Sequence, residues 1–155
     1  MNNPSDLPTT LAGALTANQQ LGAGGEVYGA WWEGAATAMA AATATILGVL
    51  QTNCSYGPML LEIKNVDTPA FNACKIQILA TPDGDWIDYV TSAQLNAGTA
   101  IAGVLLAVVG NPTTLAGGAN ALAAIQTNGA WGIQVIATSA SACTGQLMAC
   151  ARRFG

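Results

Sequence analysis

The chain has 155 residues, enough for one domain that buries a core without help from metals or disulfides. Hydrophobic residues make up 52% and charged residues only 8%, against about 25% in an ordinary soluble domain. The formal charge of −4 and the absence of histidine exclude the clustered bases that bind phosphate and any nucleophilic site built on an imidazole.

With so little charge, Thr, Asn, Gln, Ser, Gly and Ala must clothe the outside, and such a surface suits contact with other protein better than solitude. The uncharged runs at 35–50 and 97–110 are shorter than the roughly 20 strongly apolar residues of a membrane span, so no membrane partner is expected. No charged stretch precedes an early apolar core, so a cleaved secretory leader is not expected either.

Residues 1–24 (MNNPSDLPTTLAGALTANQQLGAG) form the first segment. A free tail would carry more charge and fewer leucines, so this segment reads as an arm that docks its leucines, Leu7, Leu11 and Leu15 among them, on a neighbouring subunit or on the capsid, with packing against its own sandwich as the alternative. Residues 25–155 read as the folded domain. At 26–33 (EVYGAWWE) a strand points successive side chains to opposite faces, so Trp31 and Trp32 cannot share one core. The reading puts Val27 and Trp31 inward and leaves Tyr28 and Trp32 outside as contact residues. The Ala-rich stretch 35–44 fits helix or strand.

Clear alternation follows. Met59, Leu61 and Ile63 oppose Glu62 and Lys64, and Cys74, Ile76 and Ile78 oppose Lys75 and Gln77. Three of the eight acids, Asp83, Asp85 and Asp88, then fall within six positions. Their order fails the spacing of a calcium loop, and Pro82-Asp83-Gly84-Asp85 is the chemistry of a hairpin turn between strands at 74–80 and 86–90. The run 100–109 fits a fully buried strand or a short core helix, and 115–126 is open between the same two states. The last strands are 131–138, with Trp131, Ile133 and Val135 inward and Gln134 outward, and 145–152 after the polar turn SASACT.

This succession, without obvious amphipathic helices, predicts an all-β domain of two packed antiparallel sheets. Catalytic arrangements are missing: a Ser-Lys pair would need Lys64 or Lys75, both on polar strand faces, and the glycine-rich 21–26 lacks a phosphate-binding lysine. Cys54, Cys74, Cys143 and Cys150 allow three full pairings, and their spacing is a poor zinc site. They read as small buried apolar residues. The hexapeptide PTTLAG occurs at 8–13 and 112–117, each copy followed by GAW, an echo that coincidence in an Ala- and Gly-rich chain also explains.

The succession GEVYGAWWEG, TATILGVLQT, LLEIKNV, CKIQILATPDGDWIDYVTS and WGIQVIATSASACTGQLMACAR, spanning roughly 25–152, resembles the β-sandwich domains of tailed-phage virion proteins, including head decoration (cement) proteins and tail appendage modules. The resemblance implies a non-enzymatic structural protein. The expectation is a jelly-roll-like β-sandwich with an N-terminal arm, made in the host cytoplasm and carried on the capsid surface. It would form a homo-oligomer, a trimer or dimer, and bind the major capsid protein through Leu7, Leu11, Leu15, Tyr28 and Trp32, with no cofactor, metal or nucleic acid. The alternative is a tail or fibre module that binds host glycans through Tyr28 and Trp32.

Overall fold

The computed structural model describes residues 30–52 and 57–151. The expected arm, with Leu7, Leu11 and Leu15, lies outside them, as do Tyr28, Cys54 and the boundary at 24/25.

Among the described residues ten strands follow in chain order: β1 (Ala30–Glu33), β2 (Thr37–Met39), β3 (Thr45–Gln51), β4 (Pro58–Asn65), β5 (Phe71–Leu79), β6 (Trp86–Val90), β7 (Leu105–Val109), β8 (Asn120–Gln126), β9 (Gly132–Ser139) and β10 (Cys143–Ala151). A short helix α1 (Ser92–Ala97) and a 3-10 turn (Pro112–Thr114) lie on either side of β7. The larger sheet runs β1-β10-β4-β8-β7, with β2 also on β10, and the smaller runs β3-β9-β5-β6. Every strand pairing is antiparallel.

The pairings nest. β1 and β2 pair with β10, β3 with β9, β4 with β8 and β5 with β6, so the chain forms one long antiparallel double ribbon folded over itself, which is the winding of a jelly roll. The inward set from each strand fills the gap between sheets: Met59, Leu61 and Ile63 from β4, Cys74 and Ile76 from β5, Ala121, Ala123 and Ile125 from β8, Ile133, Val135 and Ala137 from β9. Alternation at period two puts these side chains inside and Glu62, Lys64, Lys75 and Gln77 on the opposite faces.

The ambiguous stretches resolve as strand and turn. Within 35–44, Thr37–Met39 pairs with β10, Met39 is buried, and Ala42 turns the chain with φ 52°. Tertiary burial of Met39 outweighs the helix propensity of alanine, which is weak in so short a segment. Within 115–126, Asn120–Gln126 is β8, entered after Gly118 at φ 76°.

Three expectations need correction. The run 100–109 is neither a core helix nor a fully buried strand: among the described residues β7 pairs with β8 alone, burying Leu105 while Leu106 and Val109 face solvent. Trp131 does not join the buried cluster; it is half-buried where β9 begins. Trp32 does not face outward, for its backbone sits opposite buried Ala149 and its ring packs against the core beside Leu147.

One element was not anticipated. Thr91 caps α1 by accepting from the Gln94 N–H while the Gln94 side chain accepts from the Thr91 N–H, a reciprocal capping box, and Gly98 at φ 65° ends the helix. Its one buried residue, Leu95, closes the core near β5.

Candidate interaction surfaces

The acidic cluster separates into two parts. Asp83 and Asp85 are exposed in the turn between β5 and β6, where the Gly84 N–H donates to the Thr81 carbonyl at 3.0 Å. Asp88 lies on β6 and accepts from Lys75 Nζ and Gln77 Nε2, both at 2.8 Å, and Gln77 in turn accepts from Gln134 Nε2 at 2.7 Å. The hydrogen bond from Lys75, followed by that from Gln77, holds the Asp88 carboxyl below its ordinary range. This ladder crosses three strands on the outer face of the smaller sheet and explains why Gln134 is outward yet only 4% exposed. One row away, the Trp86 ring reaches over Gly132, whose missing side chain leaves it room.

A second polar cluster pins loops together. Tyr89 Oη donates to the Gln126 carbonyl at 2.7 Å, and Asn128 Nδ2 contacts both Tyr89 Oη and the Gly103 carbonyl at 2.6 Å. Burial raises the Tyr89 phenol above its ordinary value, against the opposing hydrogen bond from Asn128. Both clusters satisfy their own donors and acceptors, which is the pattern of structural polar networks.

Cys74, Cys143 and Cys150 are free thiols; the first two are buried as expected of small apolar core residues, whereas Cys150, expected to be buried too, is half-buried on the outer face of β10. Burial pushes the Cys74 thiol up to about 12, so it holds almost no thiolate near neutrality. Iodoacetamide at pH 8 should therefore label Cys74 at least roughly a hundredfold more slowly in the native chain than in urea, scored by peptide mass. Equal rates would show that the β5 core opens freely. Among the described residues no three His, Cys, Asp or Glu side chains gather as a metal site.

The apolar surface is more distinctive. On the outer face of the larger sheet, cross-strand rows bring together Val109, Leu122, Glu62 and Met148, and beside them Ala107, Ala124, Leu60 and Cys150. An open groove of about 290 Å³ lies there, lined by Leu60, Glu62, Met148, Ala149 and Cys150. Glu62, the one carboxylate in it, accepts from Asn120 Nδ2.

No protein-family model, curated protein or solved structure matches this chain. The surface must be judged on its own chemistry.

Two strand edges complete the picture. At the margin of the larger sheet, β7 (LLAVV) carries no charge, and Val109 is 63% exposed. Leu105 exchanges backbone hydrogen bonds with Ile101, but among the described residues no strand pairs with β7 on its far side beyond that bridge. At the margin of the smaller sheet, β3 (TILGVLQ) is also uncharged and exposes Ile46 and Val49. Sequence reasoning missed the exposed edge of β7 because its continuous apolar run suggested burial; the available signal was the flanking glycines, Gly103 and Gly110. Of the five expected interface residues, Trp32 alone falls among those described, and its ring is directed into the sandwich.

Proposed function

We propose that the protein is a structural component of a phage virion, a head-decoration protein that oligomerises and binds the major capsid protein to stabilise the head. The phage assignment is supported by the resemblance of its strand and turn succession to tailed-phage β-sandwiches. The assembled role is supported above all by β7, an uncharged apolar strand at a sheet edge that no other strand covers among the described residues. Proteins that live alone blunt such edges with lysine, proline, bulges or a covering loop, because unpaired N–H and C=O groups recruit other strands. Here β7 does carry a bulge, between Leu105 and Ala107, yet Val108 and Val109 continue past it without a charge.

The full-length chain with Leu106→Lys and Val109→Lys tests this reading. Sedimentation should show subunit association weakened roughly tenfold or more, with binding to expanded phage heads reduced in parallel, since both side chains are exposed and folding is spared. A wild-type chain that is monomeric and ignores phage heads would defeat the proposal. Regularly spaced protein on heads in electron micrographs, lost in the lysine variant, is the expected result.

A further inference from the structure

We infer that Asn128 is a latent modification site, an asparagine whose spontaneous deamidation is held back by the fold and, once it occurs, opens a clasp between the two sheets. The residue precedes Gly129, and Asn-Gly occurs nowhere else in the chain. Glycine has no side chain to shield its backbone nitrogen, so attack on the neighbouring side-chain amide is least hindered there. The Gly129 nitrogen bonds to Asn128 Cγ, the Cγ–Nδ2 bond breaks, and Nδ2 takes up the Gly129 amide proton and leaves as ammonia. Solvent water then opens the resulting succinimide at either carbonyl, giving aspartate or isoaspartate. Asn128 is exposed, and among the described residues the Gly129 N–H donates no hydrogen bond, so solvent reaches both reacting groups.

The fold holds the reaction back in two ways. Thr127 to Ala130 form a tight turn between β8 and β9, closed by the Ala130 N–H donating to the Thr127 carbonyl at 2.9 Å, with Asn128 at φ 49° and Gly129 at φ 73°. In this left-handed backbone the Gly129 nitrogen lies on the far side of Cα from the Asn128 side chain, so the ring closes only when the turn opens. The leaving group is held as well, because Asn128 Nδ2 donates to Tyr89 Oη and to the Gly103 carbonyl, both at 2.6 Å. The product cannot make these bonds. A carboxylate only accepts, so at position 128 it sets an oxygen against the Gly103 carbonyl and draws the Tyr89 proton away from the Gln126 carbonyl, to which Tyr89 Oη donates at 2.7 Å. Tyr89 lies on β6 of the smaller sheet and Gln126 on β8 of the larger, so that bond ties sheet to sheet. Isoaspartate in addition lengthens the backbone by one methylene inside a turn that has no slack.

The full-length chain is aged at about pH 8 and 37 °C, in buffer and in urea, and deamidation is scored by peptide mass mapping. In urea Asn128 is expected to deamidate faster than every other asparagine, and in the native chain at least roughly tenfold more slowly than in urea. Equal rates in the two solvents, or an Asn128 that stays intact in urea, would overturn the inference. Tyr89→Phe removes one of the two acceptors of Nδ2 and should raise the native rate roughly threefold or more while leaving the rate in urea unchanged. A native rate equal to that of the wild type, with β9 amides still protected, would show that the clasp guards nothing. The Asn128→Asp chain supplies the product directly and decides the second half of the inference whether or not Tyr89→Phe folds. Its Ile101 and Val104 amides, which donate to the Leu105 and Ile101 carbonyls beside Gly103, should exchange roughly tenfold faster than in the wild type while those of β9 keep their protection. Wild-type exchange at both amides would mean that deamidation opens no clasp.

Discussion

Gly117→Ala is expected to cost about 4 kcal/mol or more, enough to leave much of the chain unfolded at 37 °C. A Cβ at this position would run into the Asp67 carbonyl oxygen and lie 2.5 Å from Thr68 Cα and 2.8 Å from the Asp67 carbonyl carbon. These are backbone atoms, so no side-chain rotation relieves the clash. The 65–69 loop cannot swing away either, because buried Asn65 ties it down. Asn65 Nδ2 donates to the Pro69 carbonyl at 2.6 Å and to the Leu115 carbonyl at 2.9 Å, and its Oδ1 accepts from the Asp67 N–H at 3.1 Å. Thr144 Oγ1 adds a hydrogen bond to Asp67 at 2.6 Å, and the Val66 N–H donates to the Thr144 carbonyl at 2.8 Å. Moving the loop exposes or orphans several of these groups at about 1–3 kcal/mol each.

The neighbouring Gly118→Ala is the control. Gly118 has φ 76° but nothing within 4 Å of its Cβ position, so its substitution should cost only about 1 kcal/mol of backbone strain. Urea unfolding of both variants separates close packing from backbone conformation. A Gly117→Ala loss no greater than that of Gly118→Ala would show that the two loops are not locked together. The second PTTLAG copy ends at Gly117, so a packing requirement at that glycine accounts for the end of this copy whether or not the echo has a common origin.

The sequence was legible where one face of a strand is buried and the other carries long polar side chains. In β4 and β5 the alternation of Leu61 and Ile63 with Glu62 and Lys64, and of Cys74 and Ile76 with Lys75 and Gln77, leaves a single register that buries the apolar set. The Asp83-Gly84 turn was legible for the same local reason. β7 was not, because Leu105–Val109 is apolar on both faces and its edge position depends on a pairing with β8 that local pattern does not encode. α1 was missed because one buried residue, Leu95, is too few to set a helical period, although Thr91 and Gln94 stand at the spacing of a capping box. The candidate surface was legible only as a composition: scarcity of charge suggested an outside of small and uncharged residues suited to protein contact, but the rows that gather Leu60, Leu122 and Met148 on one face exist only once β4, β8 and β10 are paired.

Trp32→Ala is the second large effect, and it reverses the role suggested by alternation within 26–33. Alternation required one of the two adjacent tryptophans to face outward, and the reading that turned Trp31 inward and Trp32 outward chose wrongly for Trp32. In the fold, a Cβ built on Gly34 would lie 2.7 Å from Trp32 Cη2, and one on Gly48 would lie 2.8 Å from the same atom and 2.9 Å from Leu147 Cδ2. The indole therefore occupies the space that two absent side chains leave at the corner where β1, β3 and β10 meet. Truncation removes the largest side chain at that corner, and neither glycine can fill the gap. The expected loss is about 3–5 kcal/mol, read from the unfolding midpoint, with Trp32→Phe recovering part of it. Association measured well below the lowered midpoint should match wild type, because the ring packs against Leu147 and the core instead of a partner. A Trp32→Ala protein that melts like wild type but no longer associates would return this residue to the surface and invalidate the packing described for β1.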